Sequence, residues 1–159
     1  MVNLKVIINI ILIFNLVCFI LGSCTDSKTQ KVKVYYTTFE KKYTIPQGIE
    51  VNGLKQGLWI NYNSIGFLQN IETYVDGLVQ GETVTYNEHG IIVQKAEVHQ
   101  GKFRGKFECY SGKGVQTIKG IYFDNKKIGD WFYYDDNGVL TEQEKWGNGK
   151  MLTKKVFKK

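Results

Sequence analysis

Residues that could carry out chemistry are few in this sequence and lie far apart. Cys109 has a thiol, but a cysteine nucleophile needs a nearby base, and its position in the chain favours a passive strand residue. The two histidines, His89 and His99, each have one carboxylate close by, Glu88 and Glu97, which is weak support because a metal site requires further ligands at close spacing. No Gly-x-Ser-x-Gly motif is present. We therefore expect no catalytic residue, no metal site and no cofactor.

Two other groups have residue types suited to ligand binding but fall where turns are expected. Residues 111–114 read Ser-Gly-Lys-Gly, which suggests a phosphate loop, and Asp135 and Asp136 form a carboxylate pair. Both groups lie at multiples of 24 residues from a loop that begins at Asn63. We interpret them as hairpin-loop residues.

A glycine recurs every 24 residues, with a tyrosine five residues after it and another glycine nine residues after it. The first glycines are Gly57, Gly81, Gly105 and Gly129, and the tyrosines are Tyr62, Tyr86, Tyr110 and Tyr134. A second series begins each unit and follows the last one, at Gly53, Gly77, Gly101, Asn125 and Gly149. The period predicts four repeats over residues 53–76, 77–100, 101–124 and 125–148, within a repeat region of residues 51–149.

Each repeat has the pattern of a β-hairpin followed by a return turn. In the first repeat, residues 57–62 and 67–74 have strand composition, and residues 63–66 and 75–77 have turn composition. Asn-Gly and Asp-Gly pairs supply the positive φ that tight hairpin turns need. Asn125 replaces a glycine in this series, and asparagine tolerates the left-handed region better than most residues. The sequence predicts an all-β fold, an elongated antiparallel sheet of tandem hairpins.

Aromatic residues are expected on both faces of this sheet. When the first glycine of each repeat is counted as position one, position three is Trp59, Thr83, Phe107 or Trp131, and the tyrosines stand at position six. Odd and even strand positions point to opposite faces. Stacked repeats would align the four tyrosines as a ladder along the sheet.

The segments on either side of the repeats differ from them. Residues 24–30 have the composition of a polar tether, and residues 31–50 are expected to form an N-terminal β cap that departs from the period. Pro46 in this cap indicates a turn or an edge break. Residues 150–159 form a basic C-terminal strand or tail, either simply solvated or attracted to anionic lipids or polymers.

The N-terminus has the features of an export signal over residues 1–23. Lys5 precedes an apolar stretch that covers residues 6–21. The end of this stretch and the residues after it resemble the lipobox of bacterial lipoprotein precursors: Leu21, Gly22, Ser23 and Cys24. The resemblance implies a signal helix that is removed, a diacylglyceryl group on Cys24, and a lipid-anchored protein of the cell envelope. Whether it reaches the outer or the cytoplasmic membrane is left open.

The alternative to a cleaved signal is a retained transmembrane anchor. The apolar stretch contains Asn9 and Asn15 and is shorter than the roughly 20 residues that a spanning helix needs. The sequence favours the cleaved signal.

The repeat itself resembles a known family. The unit Gly-x-Trp-x-x-Tyr-x-x-x-Gly, entered through Asn/Asp-Gly, is similar to the bacterial MORN-type repeat, and in particular to the variant in YwqK-like antitoxin proteins. The clearest matches are residues 52–62 and 124–134, and the second and third repeats lack the tryptophan. The resemblance implies successive hairpins that serve as a scaffold or interaction surface.

The expected partners follow from charge and composition. Arg104 is the only arginine among 21 basic residues, which disfavours nucleic acid because phosphate and guanine recognition relies on arginine. We expect a non-catalytic binding or scaffold module that contacts a protein or an envelope glycan. The alternative is an antitoxin or immunity protein that neutralises a toxin in the envelope. The candidate binding face comprises Trp59, Tyr62, Tyr86, Tyr110, Trp131 and Tyr134.

Overall fold

The computed structural model describes residues 29–39 and 43–157. The predicted signal helix, the lipobox residues Leu21, Gly22 and Ser23, the lipid-attachment residue Cys24 and most of the tether lie outside the described residues. Residues 31–39 and 43–157 belong to one compact unit.

The described residues form twelve strands and no helix. The strands are β1 (Val32–Phe39), β2 (Tyr43–Val51), β3 (Leu54–Tyr62), β4 (Leu68–Val75), β5 (Leu78–Val79), β6 (Gly81–Tyr86), β7 (Ile92–His99), β8 (Lys102–Tyr110), β9 (Gln116–Phe123), β10 (Lys126–Tyr134), β11 (Leu140–Gly147) and β12 (Lys150–Val156). They form one open antiparallel sheet in chain order, in which the short β5 pairs with β4 beside β6. The predicted all-β, antiparallel class is confirmed.

The return turns contain the residues expected from the second glycine series. Asn52 and Gly53 have φ values of 52° and 83°, and Asn148 and Gly149 have values of 48° and 77°. This left-handed pair gives a two-residue turn whose twist matches that of the flanking strands. Asn125 has a φ of 64°, which confirms the conformation predicted for it.

The hairpin loops share one form of side-chain cap. A side-chain oxygen of the first loop residue accepts hydrogen bonds from the backbone amides two and four residues later, at Asn63, Asn87, Ser111 and Asp135. Such Asx and Ser turns mimic a backbone turn. Ser111 and Asp135 are therefore turn residues, as their spacing predicts.

The first glycine of each repeat interrupts the strand pairing. Gly57 and Gly129 have φ values of 68° and 67°. In the last repeat, Ile128 pairs with Ile121, but the next paired residue on β10 is Phe132, opposite Lys119. Extra residues on one strand of an antiparallel pair form a β-bulge. The bulge positions the residues after Gly129 over the neighbouring strand.

The segment expected to be an irregular cap is the hairpin of β1 and β2. Strand β2 ends at Val51 and β4 ends one period later at Val75, so the period extends into this segment. Pro46 lies within β2 and not in a turn. Strand β2 pairs with β3 only from Ile49 to Val51, so the missing amide of Pro46 disrupts no pairing with β3.

The sheet has a small core that lies on one face. Six of the described residues are buried: Trp59, Thr83, Ala96, Val98, Trp131 and Glu144. Their cross-strand register places them on the same side of the sheet. We call this side the tryptophan face and the opposite side the tyrosine face.

Candidate interaction surface

The two buried tryptophans each pack against a glycine of the preceding strand. Trp59 is 3 % exposed and contacts Gly48 of β2, and Trp131 is 1 % exposed and contacts Gly120 of β9. A methyl group on Gly120 would lie 2.7 Å from Cε3 of Trp131, which is well inside van der Waals contact. Each indole ring therefore fills the space that a side chain on the neighbouring strand would occupy.

Phe107 of the third repeat is in the same arrangement, with a smaller ring and a larger neighbour. Phe107 lies opposite Ala96, at the positions that Trp131 and Gly120 occupy one repeat later. The larger ring, Trp131, thus packs against a glycine, and the smaller ring, Phe107, lies opposite an alanine. Because cores tolerate little change in volume, the two positions are expected to vary together.

Glu144 is the centre of a polar cluster beside Trp131. It is 8 % exposed, and its Oε2 atom accepts hydrogen bonds from Tyr133 Oη at 2.6 Å and Trp146 Nε1 at 2.8 Å. The ammonium group of Lys127 lies 3.5 Å from the same oxygen and donates to Tyr133 Oη at 2.7 Å. Buried charge is tolerated when it is paired and hydrogen-bonded in this way. We call these residues, with Trp131, the Glu144 cluster.

The hydrogen bonds of this cluster keep its two acidic groups in fixed charge states. Burial raises the pKa of Glu144, but the hydrogen bonds from Tyr133 and Trp146 and the charge of Lys127 outweigh it and lower the pKa overall. Burial and the bond to Glu144 raise the pKa of Tyr133. A carboxylate with a lowered pKa is a weak base and a phenol with a raised pKa is a weak acid. The cluster is therefore suited to positioning rings and poorly suited to proton transfer.

Lys127 also packs over the aromatic rings of the Glu144 cluster. Its ammonium nitrogen lies 4.3 Å from the ring centroid of Trp131 and 4.7 Å from that of Trp146. Attraction of this kind contributes roughly 0.5–2 kcal/mol, depending on how far the cation is desolvated. The Lys127 side chain is 25 % exposed, so a positive charge reaches the surface beside half-buried rings.

A second cluster, three periods earlier in the chain, has the same plan. Lys55 Nζ lies 4.2 Å from the ring centroid of Trp59 and 4.7 Å from that of Tyr74. The Tyr74 hydroxyl donates to Glu72 at 2.8 Å. Burial, followed by the bond to Glu72, raises the pKa of Tyr74 to about 12. The two clusters place a lysine, a tryptophan and a hydrogen-bonded ring near opposite ends of the tryptophan face.

Aromatic rings extend from the Glu144 cluster to strands β8 and β9. Phe103 and Tyr122 have ring centroids 5.5 Å apart, Phe107 and Tyr122 5.2 Å, and Tyr122 and Trp131 4.9 Å. These distances lie within the range for favourable ring contacts. Phe103, Phe107 and Tyr122 are half-buried. The tryptophan face thus presents partly exposed rings that are held in place by their neighbours.

The tyrosine face is organised differently. Lys119 Nζ lies 5.1 Å from the ring centroid of Phe132 and 5.5 Å from that of Tyr134, and the Tyr110 hydroxyl donates to Glu108 at 2.8 Å. Counterparts in successive repeats stand two strands apart, which is roughly 9.6 Å, whereas ring contacts need about 4.5–7 Å. The four tyrosines therefore line up along this face at a backbone spacing wider than that of a direct ring contact.

The six residues of the predicted binding face do not form one surface. Trp59 and Trp131 are buried in the tryptophan face. The strand alternation places Tyr62, Tyr86, Tyr110 and Tyr134 on the other side, where all four are half-buried. The structure therefore does not bring the two sets together on one face, because residues three apart on a strand point to opposite faces.

The residues that the sequence reasoning missed are the partners of the tryptophans. Lys55 and Lys127, Glu72 and Glu144, and Tyr74 and Trp146 are equivalent positions separated by three periods. These pairs share charge or aromatic character in the two repeats that contain tryptophan. A comparison restricted to the first and fourth repeats could have identified them.

The remaining candidates for chemistry lie apart from these clusters. Cys109 is half-buried, and burial raises its pKa. His99 Nδ1 lies 2.8 Å from Gln80 Nε2, and His89 is exposed beside Glu88. In the described ranges, histidines, cysteines and carboxylates form no group that could hold a metal ion. No helix in the same ranges is long and apolar enough to cross a membrane.

Comparison with known protein families gives no match, and comparison with curated proteins gives no match either. Function is therefore inferred from the sequence and from the geometry of the tryptophan face.

Proposed function

We propose that this chain is a lipid-anchored, non-catalytic binding module of the cell envelope. In this proposal, four tandem MORN-like hairpin repeats present the tryptophan face to a protein partner. The observation that carries the proposal is two groups of half-buried rings on this face, one beside Lys55 and one that extends from Lys127 to β8. A sheet with six buried residues in its described part leaves most of this face accessible.

The chemistry of the rings favours a protein as the partner. Tyrosine and tryptophan are enriched in protein interfaces because they combine a large apolar surface with a polar group. The polar groups of Tyr74 and Trp146 are already bonded to Glu72 and Glu144. Rings that are ordered before binding lose less conformational entropy when a partner docks.

The strand positions support the repeat assignment. The first strand of each repeat begins one period after that of the repeat before it, at Leu54, Leu78, Lys102 and Lys126. All four hairpin loops use the same side-chain cap, although its residue changes from asparagine to serine or aspartate. One hairpin unit repeated four times explains both observations.

Replacing Cys24 with alanine is expected to abolish lipid attachment. The thiol is the group that would accept the diacylglyceryl chain, and anchored acyl chains contribute about 0.8 kcal/mol for each buried methylene. Metabolic labelling with a radioactive fatty acid and membrane fractionation measure the two consequences directly.

Cys109→Ala is the matched control, because it removes a thiol that lies in the sheet. This variant should be labelled and should fractionate like the unmodified protein. Retention of label in Cys24→Ala would rule out the proposed attachment site.

The partner-binding proposal predicts that Lys55→Glu weakens partner cross-linking about fivefold, the effect of roughly 1 kcal/mol. The substitution puts a carboxylate against the ring faces of Trp59 and Tyr74, which attract cations. The measurement is quantitative chemical cross-linking of the full-length protein in intact envelopes.

Lys119→Glu provides a control with the same charge change on the tyrosine face, where Lys119 also lies over two rings. It should leave the cross-linked yield unchanged, and thermal melting should show that both variants fold. Equal losses in the two variants would contradict a face-specific contact. Loss of the cross-linked species after glycan digestion would identify a glycan in place of a protein.

A further inference from the structure

The last strand leaves one edge of the sheet open. In the part of the chain that the structure describes, β12 pairs with β11 alone, and all seven of its residues are exposed. An edge strand of this kind has unpaired backbone groups that can template another strand.

The direction of the open backbone groups follows from the pairing with β11. The Phe157 amide donates to the Thr141 carbonyl, and Lys155 and Thr153 pair with Gln143 and Lys145. Hydrogen-bonded and non-hydrogen-bonded pairs alternate along an antiparallel ladder. The backbone amides and carbonyls of Lys154 and Val156 therefore point away from β11.

Strand β12 lacks the glycine bulge that interrupts the first strand of each repeat. The position equivalent to Gly129 is Thr153, and the pairing runs without interruption from Thr153 to Val156. A single shift occurs before this stretch, between Lys145 and Trp146 of β11. Bulges usually make an edge unsuitable for pairing, so the regular stretch remains able to accept a strand.

The charge of the edge selects the kind of strand that can bind. Residues 145–159 contain six lysines and no aspartate or glutamate. The opposite edge, β1, contains Lys33 and follows Lys31, so end-to-end pairing of two copies would bring lysines together. Like charges on facing strands are destabilising, whereas opposite charges are favourable.

We propose that the β12 edge binds an extended acidic segment of a partner protein as an additional β-strand. Backbone hydrogen bonds to Lys154 and Val156 provide affinity, and contacts of glutamate or aspartate with Lys150 and Lys155 provide selectivity. The proposal depends neither on the lipid anchor nor on binding by the tryptophan face.

The test uses the full-length protein in a neutral detergent and a fluorescent eight-residue peptide in which four glutamates alternate with valine and threonine. Fluorescence anisotropy should show binding that weakens about tenfold in the double variant Lys150→Glu/Lys155→Glu, since each charge reversal affects a facing pair. Lys102→Glu/Lys126→Glu makes the same charge change at the first residues of two interior strands. This control should bind the peptide nearly as well as the original protein.

Two further measurements separate strand addition from simple charge attraction. The same peptide with alternate amides N-methylated keeps its charge but loses donors, so it should bind at least about tenfold more weakly. Amide exchange at Lys154 and Val156 should slow when the unmethylated peptide binds. Equal binding of the methylated peptide, or displacement by anionic phosphatidylglycerol vesicles without amide protection, would overturn the proposal and indicate a basic surface for anions.

Discussion

Replacing Gly120 with alanine is expected to lower the free energy of unfolding by about 3 kcal/mol, the upper range for overpacking a core. The added methyl group would overlap the ring of Trp131, which is 1 % exposed and cannot move away without uncovering the core. Urea denaturation followed by tryptophan fluorescence measures this loss. Gly48→Ala should behave similarly because Gly48 lies against Trp59 in the same way.

The pair of Ala96 on β7 and Phe107 on β8 predicts how this loss of unfolding free energy can be reduced. Trp131→Phe alone leaves a cavity over Gly120 and should cost about 1–2 kcal/mol, since large-to-small substitutions lose contacts in proportion to the space left. The double variant Gly120→Ala/Trp131→Phe has the same two residue types as the native pair of Ala96 and Phe107. It should lose less stability than the sum of the two single variants, with a coupling of about 1–2 kcal/mol.

The control for this comparison of single and double variants is Gly112→Ala combined with Trp131→Phe. Gly112 lies in a hairpin loop, where an added methyl group would meet only Asn87 Nδ2 at 3.9 Å. These two changes should add without coupling. Simple additivity for Gly120 and Trp131 as well would contradict the proposed packing of ring against glycine.

The turns and strands were predictable from the sequence because they depend on local residue types. Gly53, Gly77 and Asn125 are all positions of positive φ, and that requirement is visible in residue identity alone. The same holds for the capped loops at Ser111 and Asp135. Local backbone demands therefore account for the correct part of the predicted fold.

The packing of the tryptophan face was not predictable in the same way. Gly48 and Gly120 belong to neither glycine series, and their role depends on which residue of the next strand lies over them. That register is shifted by the bulge at Gly129, so counting residues does not reveal it. The burial of Trp59 and Trp131 follows from this cross-strand geometry.

Glu144→Gln is expected to lower the free energy of unfolding by about 2 kcal/mol at pH 7, in the range for losing hydrogen bonds to a charged group. The substitution keeps the shape of the side chain but removes the negative charge that pairs with Lys127 and accepts from Tyr133. Glu72→Gln is the matched control at the equivalent position, and Glu72 is half-buried and accepts from Tyr74. Glu72→Gln should lower the free energy of unfolding by about 1 kcal/mol.

The pH dependence of this loss tests its electrostatic origin. The pKa of Glu144 is lowered in the folded protein, so its charge contributes stability above the unfolded value of about 4.3. That contribution disappears as the pH falls through the folded pKa. The difference in unfolding free energy between the original protein and Glu144→Gln should therefore be full at pH 7 and shrink below about pH 4.

Urea denaturation at pH 7, 5, 4 and 3 distinguishes charge from packing in this cluster. A difference that stays constant down to pH 3 would mean that the lost charge is not the cause, and that the loss comes from the glutamine amide facing the donors of Tyr133 and Trp146. A difference that closes on acidification would show that one ionised carboxylate holds Tyr133, Trp146 and Lys127 in place, and that the rings of the C-terminal half of the tryptophan face depend on it.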